Sequence, residues 1–219
     1  MQDPVKRDLR AARVAETETK LLTAAVELFL RHGYAATTLT AVAEHAGVGH
    51  RTVYVRFGTK AALLKRAVDV AVAGDTEPVD VAGRPWFTLA RTALTSAERI
   101  AALASGTRQM MERAADILAV ALQAAAVEPG LAAAGQAGRE ATRENMRQFW
   151  TQMADDGLLP GGLDLDWLTD TATVLVHAET YLLARQMIGW DADGYERWLN
   201  TTLTRLLASG EAETGGLHH

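Results

Sequence analysis

Apolar residues recur along this chain at helical spacing. Leu21, Leu22, Ala25, Val26, Leu28 and Phe29 fall on one broad face, and Val/Ile runs of period two are missing, so the pattern predicts helices and no strands. Breakers at Gly33, Gly47–Gly49, Gly74–Pro78, Gly83–Pro85, Gly106, Pro129–Gly130, Gly157–Gly162 and Gly189 separate segments of helical length. The reading is about nine helices, at 16–32, 38–45, 49–56, 60–73, 85–104, 107–127, 131–156, 164–188 and 193–208. Gly33 is expected to close the first as a left-handed C-cap residue, and Thr38 and Thr59 to act as N-caps. Pro85 suits a first helical position, and Asp193 with Glu196 reads as a capping box. The class is all-α, without internal repeats.

Composition narrows the function classes. The 219 residues are 48% hydrophobic and 22% charged, proportions of a soluble globular chain. Zero Cys excludes disulfides, thiolate metal sites and cysteine nucleophiles together. The longest apolar stretch, Ala114–Val127, is interrupted by Asp116 and Gln123 and is too short to span a bilayer. MQDPVKRDLR offers no apolar run for a secretory signal, so the expected compartment is the cytoplasm, with no membrane partner. Charge is uneven: residues 1–70 carry 11 basic and 7 acidic side chains, a balance of +4, against −9 for the remainder. Such asymmetry fits a polyanion partner at one end, and it equally fits solvated helix surface. The segment AGDTEPVDVAGR (73–84) is the best internal linker by composition. The polar tail SGEAETGGLHH is expected to be disordered, with His218 and His219 a tag remnant.

Residues 38–56 carry the motif: two short helical stretches, TLTAVAEHAG and VGHRTVYVRF, flank a Gly turn. A helix-turn-helix crosses two helices steeply, so a small residue is needed at the crossing and a left-handed residue at the turn. Ala43 and Gly47, four apart, meet both needs. Val42, Val48 and Val53 are spaced to fill the wedge, leaving His50, Arg51, Thr52, Tyr54 and Arg56 outward. A face of Arg, Thr, His and Tyr suits base edges and phosphates in a major groove.

The wider segment Thr19–Leu64 resembles the N-terminal domain of the TetR family of bacterial transcriptional repressors. Ala25, Leu28-Phe29, Gly33-Tyr34, Thr37-Thr38, Ala43, Ala46-Gly47-Val48, Thr52, Tyr54, Phe57 and Lys60 carry the resemblance, in order and without gaps. Two positions depart from it: Gly49 stands where the family usually has Ser, and Arg51 where it commonly has Gly. The resemblance implies a helix-turn-helix domain over 1–62, a helical effector-binding and dimerisation domain over 63–209 and a tail over 210–219. It implies that Thr38 and Thr40 hold phosphate at a helix start, that Tyr54 and Lys60 grip the backbone, and that His50, Arg51 and Thr52 face the groove. Arg56 is left to backbone or base, and Tyr34 is read as a core ring rather than a DNA contact. Lys6, Arg7, Arg10 and Arg13 form a basic arm, either solvated or a further phosphate or minor-groove contact.

One recognition helix covers few bases, so such proteins bind near-palindromic sites as two-fold dimers. The family dimerises through its last two helices, which here offer Trp167, Val174, Leu175, Ala178, Leu182, Trp198, Leu203, Leu206 and Leu207. Every Trp, and every Met but Met1, lies at or beyond position 86. Those side chains either fill a helical core or line an apolar effector cavity. For the cavity the candidates are Phe87, Met110, Met111, Phe149, Trp150, Met153, His177 and Tyr181, with helix 60–73 expected to pass the signal on. His177 could orient a ligand, but it reads more readily as a hydrogen-bonded core or interface histidine. The rival to a small-molecule effector is a partner protein. No cofactor, metal site or catalytic constellation is implied: GVG at 47–49 follows a helix rather than a strand, and HExxH spacing is missing.

Overall fold

The computed structural model describes the backbone of residues 4–77 and 80–214, with side chains for 12–77 and 80–208. Its ten α-helices are α1 (Pro4–Ala36), α2 (Leu39–His45), α3 (His50–Phe57), α4 (Lys60–Ala73), α5 (Pro85–Thr92), α6 (Ser96–Ala124), α7 (Pro129–Asp155), α8 (Leu165–Leu175), α9 (Ala178–Met187) and α10 (Ala192–Thr214). A 3-10 turn, Val81–Gly83, precedes α5. The described residues contain no strand, and none of their helices is long and apolar enough to cross a membrane.

They form two compact units, one built from residues up to Val70 together with Asp116–Gly135, the other from Ala71–Ala115 and the residues from Gln136 on. The chain passes from one to the other inside α4, α6 and α7. In the first unit, buried Leu21, Leu22, Ala25 and Phe29 of α1, Val42 and Ala43 of α2, Val53 of α3 and Leu63 and Leu64 of α4 supply the core. Ile117, Ala124 and Leu131 add to it from the second segment. In the second unit the largest sealed side chains are Phe87, Phe149, Trp150 and Tyr195.

Helix ends show where local signals held. Thr38 accepts from the Ala41 amide and Thr59 from the Ala62 amide, both at 3.1 Å, and Pro85 opens α5. Gly33 does not close α1 but kinks it at φ 76°, ψ 173°, a positive-φ backbone outside the left-handed helical region where only glycine is at ease. Helix α1 begins at Pro4, twelve residues before the expected start. The side chains of Lys6, Arg7 and Arg10 lie outside the described residues, while Arg13 is exposed.

Further boundaries also differ from those expected from the sequence. The expected stop at Gly106 is helix interior, and the true break falls at 93–95. There the Thr95 hydroxyl accepts from the Glu98 amide (3.2 Å) while the Glu98 carboxylate accepts from the Thr95 amide (3.1 Å), a reciprocal cap. Gly106 serves packing instead, because a Cβ placed on it would lie 2.0 Å from Cε3 of Trp86. Replacing Gly106 with Ala displaces the Trp86 ring; overpacking costs about 1–3 kcal/mol against a propensity gain of about 1 kcal/mol. Urea unfolding of Gly106→Ala is expected to show a net loss rather than the gain usual for Gly→Ala in a helix.

The expected helix 164–188 is split into α8 and α9. His177 is extended (φ −78°, ψ 150°), and the Thr180 hydroxyl donates to the Val174 carbonyl at 2.5 Å, the acceptor a continuous helix gives to residue 178. At α10 the cap is Asp191, which accepts from the Gly194 amide at 2.7 Å. Asp193 accepts from Arg108 of α6, also at 2.7 Å, rather than capping with Glu196. Helix α10 continues to Thr214, and the rest of the expected tail, with His218 and His219, lies outside the described residues.

Candidate nucleic-acid interface

The turn between α2 and α3 closes as its sequence requires. Gly47 has φ 64° and donates to the Glu44 carbonyl (3.1 Å), and the Val48 amide turns back to Ala43 (2.9 Å). A Cβ on Gly47 would meet nothing within 4 Å, so the sign of φ, not space, demands glycine. Helix α2 packs on α1 and α3 on α2. Val42, Ala43 and Val53 are fully sealed, while Val48 is only half-buried.

With Val53 inward, the rest of α3 is set by helix geometry, roughly 100° per residue. His50, Arg51, Thr52 and Tyr54 are all exposed. Gly49 caps α3 by backbone alone, so the first amides of α3 receive no side-chain acceptor from the cap position. At the start of α2, Thr38 is exposed with its hydroxyl turned to its own helix, and Thr40 is half-buried.

Three expected members have partners within the chain: His50 Nε2 lies 3.4 Å from the Glu44 carboxylate, and Arg56 and Lys60 are engaged on α1. Arg56 of α3 and Arg66 of α4 both donate to Glu18 of α1, Arg66 Nε at 2.8 Å, around a carboxylate only 14% exposed. Lys60 donates from Nζ to the carbonyls of Tyr34 (2.7 Å) and Ala35 (3.4 Å) and lies 4.2 Å above the Tyr34 ring. It thus caps the end of α1. Tyr34 stacks on Phe29 at 6.0 Å and donates its hydroxyl to Glu128 at 2.7 Å, a bond within the first unit. Burial, and then the hydrogen bond and charge of Glu128, push the phenol well above the ordinary tyrosine value. The neutral phenol is therefore the favoured form in the fold, and this contribution is fully present below the ordinary tyrosine value and is lost as pH rises from there through the elevated one. Tyr34→Phe, which leaves Glu128 without its donor, is expected to cost about 1–2 kcal/mol by urea unfolding.

Sequence reasoning passed over Val55, which is 77% exposed on α3; its place opposite Val53 on the helical wheel was the available signal. Glu18 had no local signal, being 38 residues from Arg56 in the chain.

In the second unit the proposed effector residues Phe87, Met111, Phe149, Trp150, Met153 and Tyr181 are buried, whereas Met110 and His177 are half-buried. His177 sits at the α8–α9 break and pairs through Nδ1 with Glu179. Two concavities on this unit are open to solvent. One of about 230 Å³ is lined by Arg91, Glu144, Arg147, Gln148, Thr151, Gln152 and Asp155. The other, about 450 Å³, lies along Arg91–Leu94, Arg99, Gln152, Asp156 and Leu158. Neither includes an expected lining residue. Of the proposed dimer residues, Trp167 and Val174 are exposed, Leu175, Trp198 and Leu206 half-buried, and Ala178, Leu182, Leu203 and Leu207 buried within the chain. Leu183, Met187 and Ile188 are exposed on and after α9.

An all-helical chain whose N-terminal unit presents a helix-turn-helix with an exposed second helix has the build of a DNA-binding regulator. Residues 21–67 match the family model of the bacterial regulatory proteins, tetR family, so the resemblance is shown for this segment. The fold is shared across most of the chain. A complex of SmeT with triclosan has 22% identity and a TM-score of 0.67, covering 89% of this chain and 91% of its own. NalD, the secondary repressor of the MexAB-OprM multidrug efflux pump in Pseudomonas aeruginosa, has 20% identity and a TM-score of 0.62, covering 88% and 96%. A TetR transcription regulator from Haloarcula marismortui has 16% identity and a TM-score of 0.66, covering 89% and 97%. No curated relative matches the chain.

Proposed function

We propose that this regulator is a repressor that binds a near-palindromic duplex operator as a homodimer, in the cytoplasm, and is released by a small, largely apolar effector. The observation that carries the DNA-reading part is the exposed, polar face of α3 opposite sealed Val53. Arg51, Thr52, His50 and Tyr54 supply the base and phosphate donors there, with Thr38 and Thr40 on the flanking backbone. In the free protein Arg56 and Lys60 are spent on Glu18 and the end of α1, so their part in DNA binding requires exchanging those partners. Exposed Trp167 and Val174 on α8 and Leu183 and Met187 on α9 support a dimer. The effector part draws on the similar proteins, one of them held with triclosan and another the repressor of an efflux pump. It requires the packed core around Phe149, Trp150 and Met153 to open, for which Met is the adaptable element. Effector and DNA would then be coupled by ~1–3 kcal/mol through α4, reciprocally.

Selection of binding sites from random duplex DNA, followed by mass measurement of the complex, tests the reading. The expected result is one enriched sequence with two half-sites about 34–36 Å apart, bound by two chains. Arg51→Ala should relax preference at a single base pair per half-site, about 1–3 kcal/mol if the contact is bidentate to guanine. A uniform loss across all sequences would assign Arg51 to phosphate instead. An effector that binds without changing operator affinity would sink the release mechanism.

A further inference from the structure

Resting on that DNA-binding reading, we infer that Val55 is a specificity determinant that reads the 5-methyl group of a thymine, beside the base pair met by Arg51. Viewed down α3 with Val53 at the inward point, successive residues turn by roughly 100°. Thr52 and Tyr54 then stand on the two shoulders, and His50 and Arg56 nearer the core. Arg51 and Val55 each lie roughly 160° from Val53, on either side of the outermost line. Exposure follows this wheel: Val53 is 0% exposed, Tyr54 50% and Val55 77%. Val55 therefore stands at the same angle from the inward line as Arg51, and the two lie about one turn apart, about 6 Å along the helix.

Among the described residues, this apolar side chain at the crest of an otherwise polar face stays 77% exposed. In a major groove, the apolar feature within reach is the thymine methyl, which distinguishes T·A from every other pair on that edge. A valine offers two methyl groups with a stiff χ1, and so presents a fixed contact without losing much rotamer freedom on binding. The 6 Å offset from Arg51 compares with about 3.4 Å per base-pair step, which places the thymine one or two steps from the pair that Arg51 meets.

The test uses the full chain and its selected operator. Each thymine is replaced in turn by deoxyuridine, which removes the methyl and leaves base pairing and hydrogen-bonding groups unchanged. For the unaltered protein, one position per half-site should weaken binding by about fourfold, the worth of roughly one buried methyl group. Val55→Ala should abolish that difference while leaving the others, and Val55→Thr, which keeps one methyl, should retain part of it. Val55 lies at the surface, so neither variant disturbs the core. Indifference to deoxyuridine at every position, or an equal loss in Val55→Ala, overturns the role of Val55 while the operator itself stands. If selection enriches no sequence at all, the underlying DNA-binding reading and this inference fall together.

Discussion

Trp150→Ala is expected to lower the unfolding free energy by about 3–5 kcal/mol, the range for removing a sealed aromatic side chain. Trp150 is 0% exposed and meets Phe149 edge-on, with ring centroids 4.8 Å apart, so neighbours collapse only partly into the space it leaves. For a chain of this length each kcal/mol shifts the midpoint by about 2–4 °C, and a drop on the order of 10 °C should appear by calorimetry. Trp150→Phe behaves differently. The indole Nε1 is buried without a hydrogen-bond partner, which costs about 1–3 kcal/mol in the native chain. Phe removes that unpaired donor while leaving a smaller void, so the two changes oppose and the net loss is expected to stay near 1 kcal/mol. Adding indole to Trp150→Ala should restore part of its stability, as apolar probes fill engineered apolar cavities. A core that tolerates Ala at 150 without loss would mean that this region is not closely packed.

Glu18→Ala should destabilise the first unit by about 2–3 kcal/mol, somewhat below the 3–5 kcal/mol for breaking a fully buried pair, because Arg56 and Arg66 keep partial access to water. Their side chains are 26% and 34% exposed, against 14% for Glu18. Removing a carboxylate that faces both arginines takes away one tie of α3 and one tie of α4 to α1 together. The functional consequence has a readable sign. If Glu18 acts by fixing α3, operator affinity falls in Glu18→Ala and recovers partly in Glu18→Gln, which keeps hydrogen-bond acceptance without charge. If Glu18 instead withholds Arg56 from DNA, affinity rises and the salt dependence steepens, since one more phosphate contact adds about 0.9 to the slope of log affinity against log salt.

The helix-turn-helix was legible because its requirements are local and steric. Ala43, Gly47, Val42 and Val53 each stand where only a small, a left-handed or an apolar residue fits, and each is found in that role. The break at 93–95 was also readable, since Thr95-Ser96-Ala97-Glu98 has capping-box spacing. Gly106 drew attention away from it, because its purpose, making room for Trp86, depends on a residue twenty positions earlier. The α8–α9 break carries no Gly or Pro; it is made by the Thr180 hydroxyl capturing a carbonyl, which the apolar run TVLV conceals. Burial was the least legible quantity. Periodicity marked Ala178, Leu182, Leu203 and Leu207 as apolar but not whether their own chain would cover them. Likewise no local pattern foretold that Arg56 and Lys60, read as DNA contacts, would find partners on α1.

The first unit is assembled from two stretches that lie far apart in sequence. Ile117, Ala124 and Leu131 complete its interior, and Glu128 receives the Tyr34 phenol. During synthesis the nascent N-terminal helices must therefore wait with an unfinished apolar surface until residue 135 has left the ribosome. A truncation that ends near residue 70 would carry that same gap permanently, so an excised head is a poor surrogate for operator binding.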